Sequence, residues 1–135
     1  MITLSNTAEQ VLLPNQSITF DLELMKTRCG SERHREGSAN VQILNGNVFD
    51  IDFSANIAGQ AAGQVQLAIM VDGEPIPAGN MIETVAAANN IYNVSRPGVK
   101  VRQLGCSNTI SVRNTGTTNI ILPAKSSRLS IKRIA

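Results

Sequence analysis

The chain has 135 residues, 42% hydrophobic, 16% charged and 3% aromatic, with a formal net charge of +2. Such a length suits one domain with a core of its own, expected here over residues 1–135. Near-neutral charge with almost no aromatics supplies neither the electrostatic footprint nor the stacking platform of a nucleic-acid binder. No apolar run approaches the roughly 20 residues of a membrane-spanning helix. Met1 to Asn6 has no basic or long apolar stretch, so no secretory leader is expected.

Hydrophobic alternation with period 2 is the main signal along the chain. Ile18, Phe20, Leu22 and Leu24 fall on one face, against Thr19, Asp21 and Glu23. Val41 and Ile43 suggest a short strand. Phe49, Ile51, Phe53, Ala55 and Ile57 alternate with Asp50, Asp52, Ser54 and Asn56, the longest such run. Val65, Leu67, Ile69 and Val71 make another, with Ala68 and Met70 rather than charges opposite, so the second face is expected to be covered too. Shorter alternations lie at Val99/Val101, Ile110/Val112 and Leu129/Ile131, and Ile120-Ile121-Leu122 reads as a fully buried strand.

Turn chemistry separates these runs. Asn45-Gly46-Asn47 predicts a hairpin, because Asn and Gly tolerate positive φ. Asp72-Gly73 predicts a turn leading into the proline-stiffened Glu74-Pro75-Ile76-Pro77, and Arg96-Pro97-Gly98 and Asn114-Thr115-Gly116-Thr117 predict two more connections. Met81 to Asn89 lacks a helical stripe and is read as extended or a single turn. Eight to ten short strands with regular turns predict an all-β, two-sheet antiparallel jelly-roll sandwich.

Candidate chemistry is sparse. The densest polar cluster, Lys26-Thr27-Arg28 and Glu32-Arg33-His34-Arg35-Glu36, is read as a charged loop over about 26–38. It is a candidate contact for a partner or a second subunit, because Arg offers a bidentate fork to carboxylates or phosphates; the plainer reading is a solvated loop of compensating charges. His34, the single His, lacks an oriented partner and a nucleophile and is read as a hydrogen-bonded loop residue rather than a catalyst. Asp50 and Asp52 share a strand face, where they are expected to pair with a basic residue such as Arg102 or Arg113 rather than to bind calcium. Cys29 and Cys106 are too few and too far apart for zinc, leaving a disulfide or, as expected for a chain without a leader, two free thiols. The expectation is no enzyme, no catalytic residue, no cofactor and no metal site.

Order and spacing add a resemblance. Phe53-Ser54-Ala55-Asn56-Ile57, an Ala/Gly-rich loop, Val71-Asp72-Gly73 and Pro75-Ile76-Pro77 are followed by Ile110-Ser111-Val112-Arg113-Asn114 and the closing run Ser127 to Ile134. This series resembles the tumour-necrosis-factor-like and complement-head-like jelly rolls, in particular their bacterial and phage virion branch. His34-Arg35-Glu36-Gly37-Ser38 is similar to a stretch in small proteins of Firmicutes and their prophages. The resemblance implies a homotrimer, with Tyr92 in Ile91-Tyr92-Asn93-Val94 at a position where relatives often place an axial residue. It further implies a non-enzymatic structural protein on a virion surface, made in the bacterial cytoplasm. The expected role is capsid decoration, with the major capsid protein or another virion component as partner, and neither nucleic acid nor membrane. The alternative is a receptor- or glycan-binding knob on a fibre. The early entry into strands, with no shaft, collagen tract or heptad anchor, favours decoration.

Overall fold

A computed structural model describes residues 1–27 and 30–135. Its described residues form twelve strands and no helix: β1 (Ile2–Ser5), β2 (Gln10–Leu12), β3 (Leu22–Lys26), β4 (Glu32–His34), β5 (Val41–Leu44), β6 (Val48–Gly59), β7 (Gly63–Val71), β8 (Glu74–Val85), β9 (Ile91–Arg102), β10 (Ser107–Asn114), β11 (Ile120–Leu122) and β12 (Ser127–Arg133). They build two antiparallel sheets. The five-stranded sheet runs β4-β5-β10-β7-β8. In the seven-stranded sheet, β6 pairs with β9 along one flank and with β12 and then β11 along the other; β12 continues to β1 and β3, and β11 to β2.

The expected alternation sets the inward faces. On β6, Phe49, Ile51, Phe53, Ala55 and Ile57 are all buried, and Val65, Leu67 and Ile69 of β7 meet them from the opposite sheet in one apolar cluster. Ala68 and Met70 are buried on the other face of β7, as their apolar character suggested. Ile120 and Leu122 are fully buried and Ile121 only partly. Met81 to Val85 belong to β8, in agreement with an extended reading of that stretch.

The turns divide into two kinds. Asp72 and Gly73 hold φ of 52° and 84° and close β7 onto β8 with Val71 opposite Glu74, a two-residue hairpin of type I′ character. Asn45 also has positive φ (58°), but it links β5 to β6, which lie in different sheets, so the expected hairpin is a crossover. Arg96-Pro97-Gly98 is likewise no connection between strands. It is a bulge within β9, where Pro97 and Gly98 both stand opposite Asp52. Gly98 takes φ of 66° there and donates its N–H to Asp52 Oδ1.

A second bulge corrects the face assigned to Leu24. Ile18 and Phe20 are fully buried as expected, whereas Leu24 is exposed. Core residue Leu4 faces Glu23 and Ser5 faces Leu22, so the alternation has already shifted by one before β3, and Leu24 is then the extra residue of a bulge between the Leu4–Glu23 and Thr3–Met25 pairs.

Two buried amides anchor the connections. Asn6 Nδ2 donates to the carbonyls of Ala8 (2.9 Å) and Pro123 (3.0 Å), and Asn6 Oδ1 accepts from the N–H and hydroxyl of Ser127. Asn114 Nδ2 donates to the carbonyls of Leu12 and Thr118 (both 3.0 Å), and its Oδ1 accepts from Gly116 N–H. Such saturation allows a polar group to lie at the core boundary without the cost of an unpaired donor.

Phe53 sits at the centre of this packing. Replacing it by Asp buries an unpaired carboxylate at a cost of several kcal/mol, against a typical domain stability of about 5–15 kcal/mol. Phe53→Asp is expected to yield no soluble folded protein; a normal yield with a β-type circular dichroism spectrum would show that the inward face has been misassigned.

Candidate functional site

The cluster expected as a loop contains a strand. β4 is an edge strand of the five-stranded sheet, beside β3 at the edge of the seven-stranded one. Its alternation turns Glu32 and His34 inward and Arg33 outward. Glu32 Oε1 accepts the backbone N–H of Arg133 (3.1 Å) and its Oε2 accepts from the Met1 ammonium (3.1 Å). The His34 ring is fully buried, with Nε2 2.9 Å from the Ser38 carbonyl and Nδ1 3.2 Å from Glu23 Oε1. A neutral imidazole donates through one nitrogen, whereas the imidazolium donates through both and so satisfies both acceptors. The ring also meets Phe20 edge-on, with centroids 6.5 Å apart. His34 is therefore a tie between two sheet edges; as a candidate contact residue it faces the wrong way. Sequence reasoning missed this strand because its period-2 pattern is carried by ionisable side chains, which a hydropathy pattern does not register.

The arginines of the cluster face outward. Arg33 on β4, Gln42 on β5 and Thr109 on β10 stand side by side by register. With Lys26, Arg35 and Asn40 they line an open depression of about 420 Å³. Lys26 is held at its rim, with Nζ 3.6 Å from Glu23 Oε1 and donating to the His34 carbonyl (3.3 Å). Arg28 lies outside the described residues. Tyr92 is half-buried opposite Ile57, packs on the core cluster, and its hydroxyl accepts the N–H of Ala86 (3.2 Å). It pins the β8–β9 connection.

The outer face of the seven-stranded sheet is organised in cross-strand rows. Val11, Ile121, Ala58 and Ile91 are successive partners on β2, β11, β6 and β9 and form an apolar row at one end; Val11 is 43% and Ile91 64% exposed. Next come short polar residues: Asn56 with Asn93, Ser54 with Ser95, and Thr3 bonded to Ser130 (2.8 Å). At the other end Asp50 meets Lys100 Nζ at 2.7 Å. Lys100 thus replaces the expected partners of this carboxylate. Arg102 stands opposite Val48, and Arg113 belongs to the other sheet. Asp52 is taken by Gly98 N–H.

Among the described residues no group of three or more His, Cys, Asp or Glu side chains converges as a metal site would require, and no helix is long and apolar enough to cross a membrane. Cys106 is an exposed free thiol; Cys29 lies outside the described residues.

Comparison with known proteins gives the fold a name. No protein-family model and no curated protein matches the chain. Among solved structures it is similar to the Eiger TNF of S. frugiperda (7% identity, TM-score 0.75, covering 99% of this chain and 91% of that one). It is also similar to murine APRIL (10%, 0.69, 98% and 98%) and to the PRD1 vertex protein P5 (12%, 0.54, 99% and 96%).

Two measurements probe the β4 edge. His34→Ala removes the fully buried ring with its contacts to the Ser38 carbonyl and Glu23, leaving only the Phe20 N–H on that carbonyl and Lys26 beside Glu23, and is expected to cost about 2–4 kcal/mol in urea unfolding; a change near zero would place the ring in solvent. Asp21 is exposed, and the Thr7 hydroxyl and N–H hold its carboxyl below the usual range. Its contribution is present above the unfolded-state pKa and is lost as pH falls through the lower folded value. The stability gap between the native chain and Asp21→Asn should therefore close on acidification, and a gap that widens would contradict the assignment. On these grounds, two antiparallel sheets in this strand order over nearly the whole length of their neighbours, the chain has the TNF-like jelly-roll fold.

Proposed function

We propose that the chain is a non-enzymatic structural protein of a virion surface, working as a homotrimeric decoration protein that docks on and stabilises a phage capsid shell. The observation that carries this reading is the outer face of the seven-stranded sheet. Its middle carries short side chains, with Asn56 bonded to Asn93 and Thr3 to Ser130, Asp50 is paired with Lys100 at one end, and an apolar row is open at the other; Arg128 and Lys132 of β12 are exposed cations on it. The apolar row and the bonded short side chains suit burial against another copy, because these groups are desolvated at little cost. The jelly rolls that the sequence resembles assemble in threes around an axis, which supports the same arrangement. Three copies of a modest docking patch bind a shell far more tightly than one when their spacing matches its symmetry.

The likeness to the PRD1 vertex protein P5 supports a virion setting. Its name places that protein at a vertex, which favours a second reading: a receptor- or glycan-binding knob at a vertex or fibre tip. Proteomics and imaging of purified particles separate the two. Distribution over the shell supports decoration, location at tips or vertices supports the knob, and absence from particles rejects both.

Light scattering tests the assembly. The native chain is expected at the mass of three copies. Burial of Val11 and Ile91 at an interface contributes about 1.5–3 kcal/mol each, so Val11→Glu with Ile91→Glu should shift the mass toward one copy while the β-type spectrum is retained. A monomeric native chain, or a trimer indifferent to both substitutions, would overturn the interface.

A further inference from the structure

We propose that the outer face of the five-stranded sheet, centred on Arg33 and Arg35, is the docking site for a carboxylate-rich protein surface. The inference rests on the shell-docking reading and gives its partner a chemistry. The first ground is the sign of the face. Strand register and alternation put Arg33, Gln42 and Thr109 outward on β4, β5 and β10, with the partly exposed Arg113 further along β10 beyond the buried Ser111, while the outward positions of β7 and β8 hold uncharged residues. By register no Asp or Glu of these five strands shares the face of Arg33: Glu32, Glu74 and Glu83 fall on the other side, Glu74 exposed at the β7–β8 end, and the Asp72 carboxylate of that turn is taken by the N–H of Thr109 and the amide of Asn108. The opposite face of the sandwich mixes signs, with Asp50 and Asp52 met by Lys100 and the Gly98 N–H beside exposed Arg128 and Lys132.

The second ground is that these arginines are not spent inside the fold. Arg33 and Arg35 are exposed, and neither they nor Arg113 form an ion pair with a described carboxylate. The Arg113 Nε is buried without a hydrogen-bond acceptor. Arg33 is also held rigidly. Its neighbours Glu32 and His34 are fastened inward on either side, so the strand fixes the backbone from which the Arg33 side chain projects. Beside it, Gln42 and Thr109 add neutral hydrogen-bonding groups within the same depression.

The third ground selects the anion. Guanidinium forks match carboxylates in a two-bond geometry. Phosphate and sulfate share that geometry, but nucleic acids and sugars are usually held by stacking as well. The chain has four aromatic residues; Phe20, Phe49 and Phe53 are core residues and Tyr92 is turned onto the core. None is offered to a partner on this face. An acidic protein surface needs no stacking and is drawn to the face by its field, with rates that fall as salt rises.

The full-length chain is titrated with poly-L-glutamate, heparin and duplex DNA at low and high salt. Three forms are compared: native, Arg33→Gln with Arg35→Gln, and Lys125→Gln with Lys132→Gln, an equal change of charge away from this face. The inference expects salt-sensitive binding of poly-L-glutamate that falls about tenfold in the arginine variant and is unchanged in the lysine variant. Absence of that binding, or equal loss in both variants, overturns it, and tighter arginine-dependent binding of heparin or DNA overturns the choice of anion. Purified particles complete the test. Arginine-dependent poly-L-glutamate binding by a chain absent from particles removes the shell reading and leaves the acidic docking face. A chain retained on particles despite Arg33→Gln and Arg35→Gln does the reverse.

Discussion

Strand β6 has no free edge, and the rest of the molecule is arranged around that fact. Along one flank it pairs with β9 from Val48 to Ala58, and along the other with β12 and then β11. Its inward side chains, Phe49 to Ile57, are the floor on which β7 and β10 of the other sheet close. Because side chains alternate with period 2, a slip of one residue would turn this whole set to solvent and bring Asp50 and Asp52 inside. The register is fixed by both layers at once. The bulge opposite Asp52 is tolerated because a glycine and a carboxylate absorb it together.

The sandwich is open along its edges, and there the fold uses polar ties in place of apolar contact. Glu32 and His34 reach from β4 to the ends of β1, β12 and β3. Asn6 and Asn114 do the same for the loops that cross between sheets. Each tie meets nearly all its hydrogen-bonding capacity, the condition under which a buried polar group costs little and removal of one partner costs much. The edges that remain carry prolines, Pro75 and Pro77 on β8 and Pro97 on β9, which withhold N–H groups from stray strand pairing.

Legibility in the sequence follows from the same physics. Strands with one oily face, β6 and β7, announce themselves by alternation, and Asp72-Gly73 announces its turn by the conformations those residues tolerate. β1 does not, because Thr3 and Ser5 are buried together with Ile2 and Leu4, so hydropathy shows no period. β4 does not, because its inward residues are a carboxylate and an imidazole. Asn45-Gly46 marks a change of direction correctly, but local turn chemistry carries no information about which sheet the chain enters next. Leu22 and Leu24 keep the alternation on paper and lose it in the structure, because pairing with β1 sets Glu23 opposite Leu4 and makes Leu24 the bulged residue. In the candidate site the arginines were legible by composition; that Arg33 faces out while His34 ties the edges below was not, since the distinction depends on a strand that hydropathy does not reveal.

On the proposed reading, the two outer faces divide the work that a shell protein must perform. A face meant for copies of the same chain has to tolerate its own charge pattern, because each protomer brings the same residues to the contact. Paired charges such as Asp50 with Lys100, and uncharged rows such as Asn56 with Asn93, meet that condition. The exposed Arg128 of β12 stands apart from that pattern as a single cation, whereas the grouped Arg33 and Arg35 meet the condition least, since two copies of the group repel. On that reading the same repulsion opposes self-association through the five-stranded sheet and leaves it to an unlike, acidic partner. Separation of like from unlike partners would then follow from where the ten carboxylates of the chain are placed, with none on the five strands sharing the face of Arg33 by register. An added outward carboxylate beside Arg33 would compromise both properties at once, neutralising the docking field and weakening the bar against wrong copy-to-copy contact.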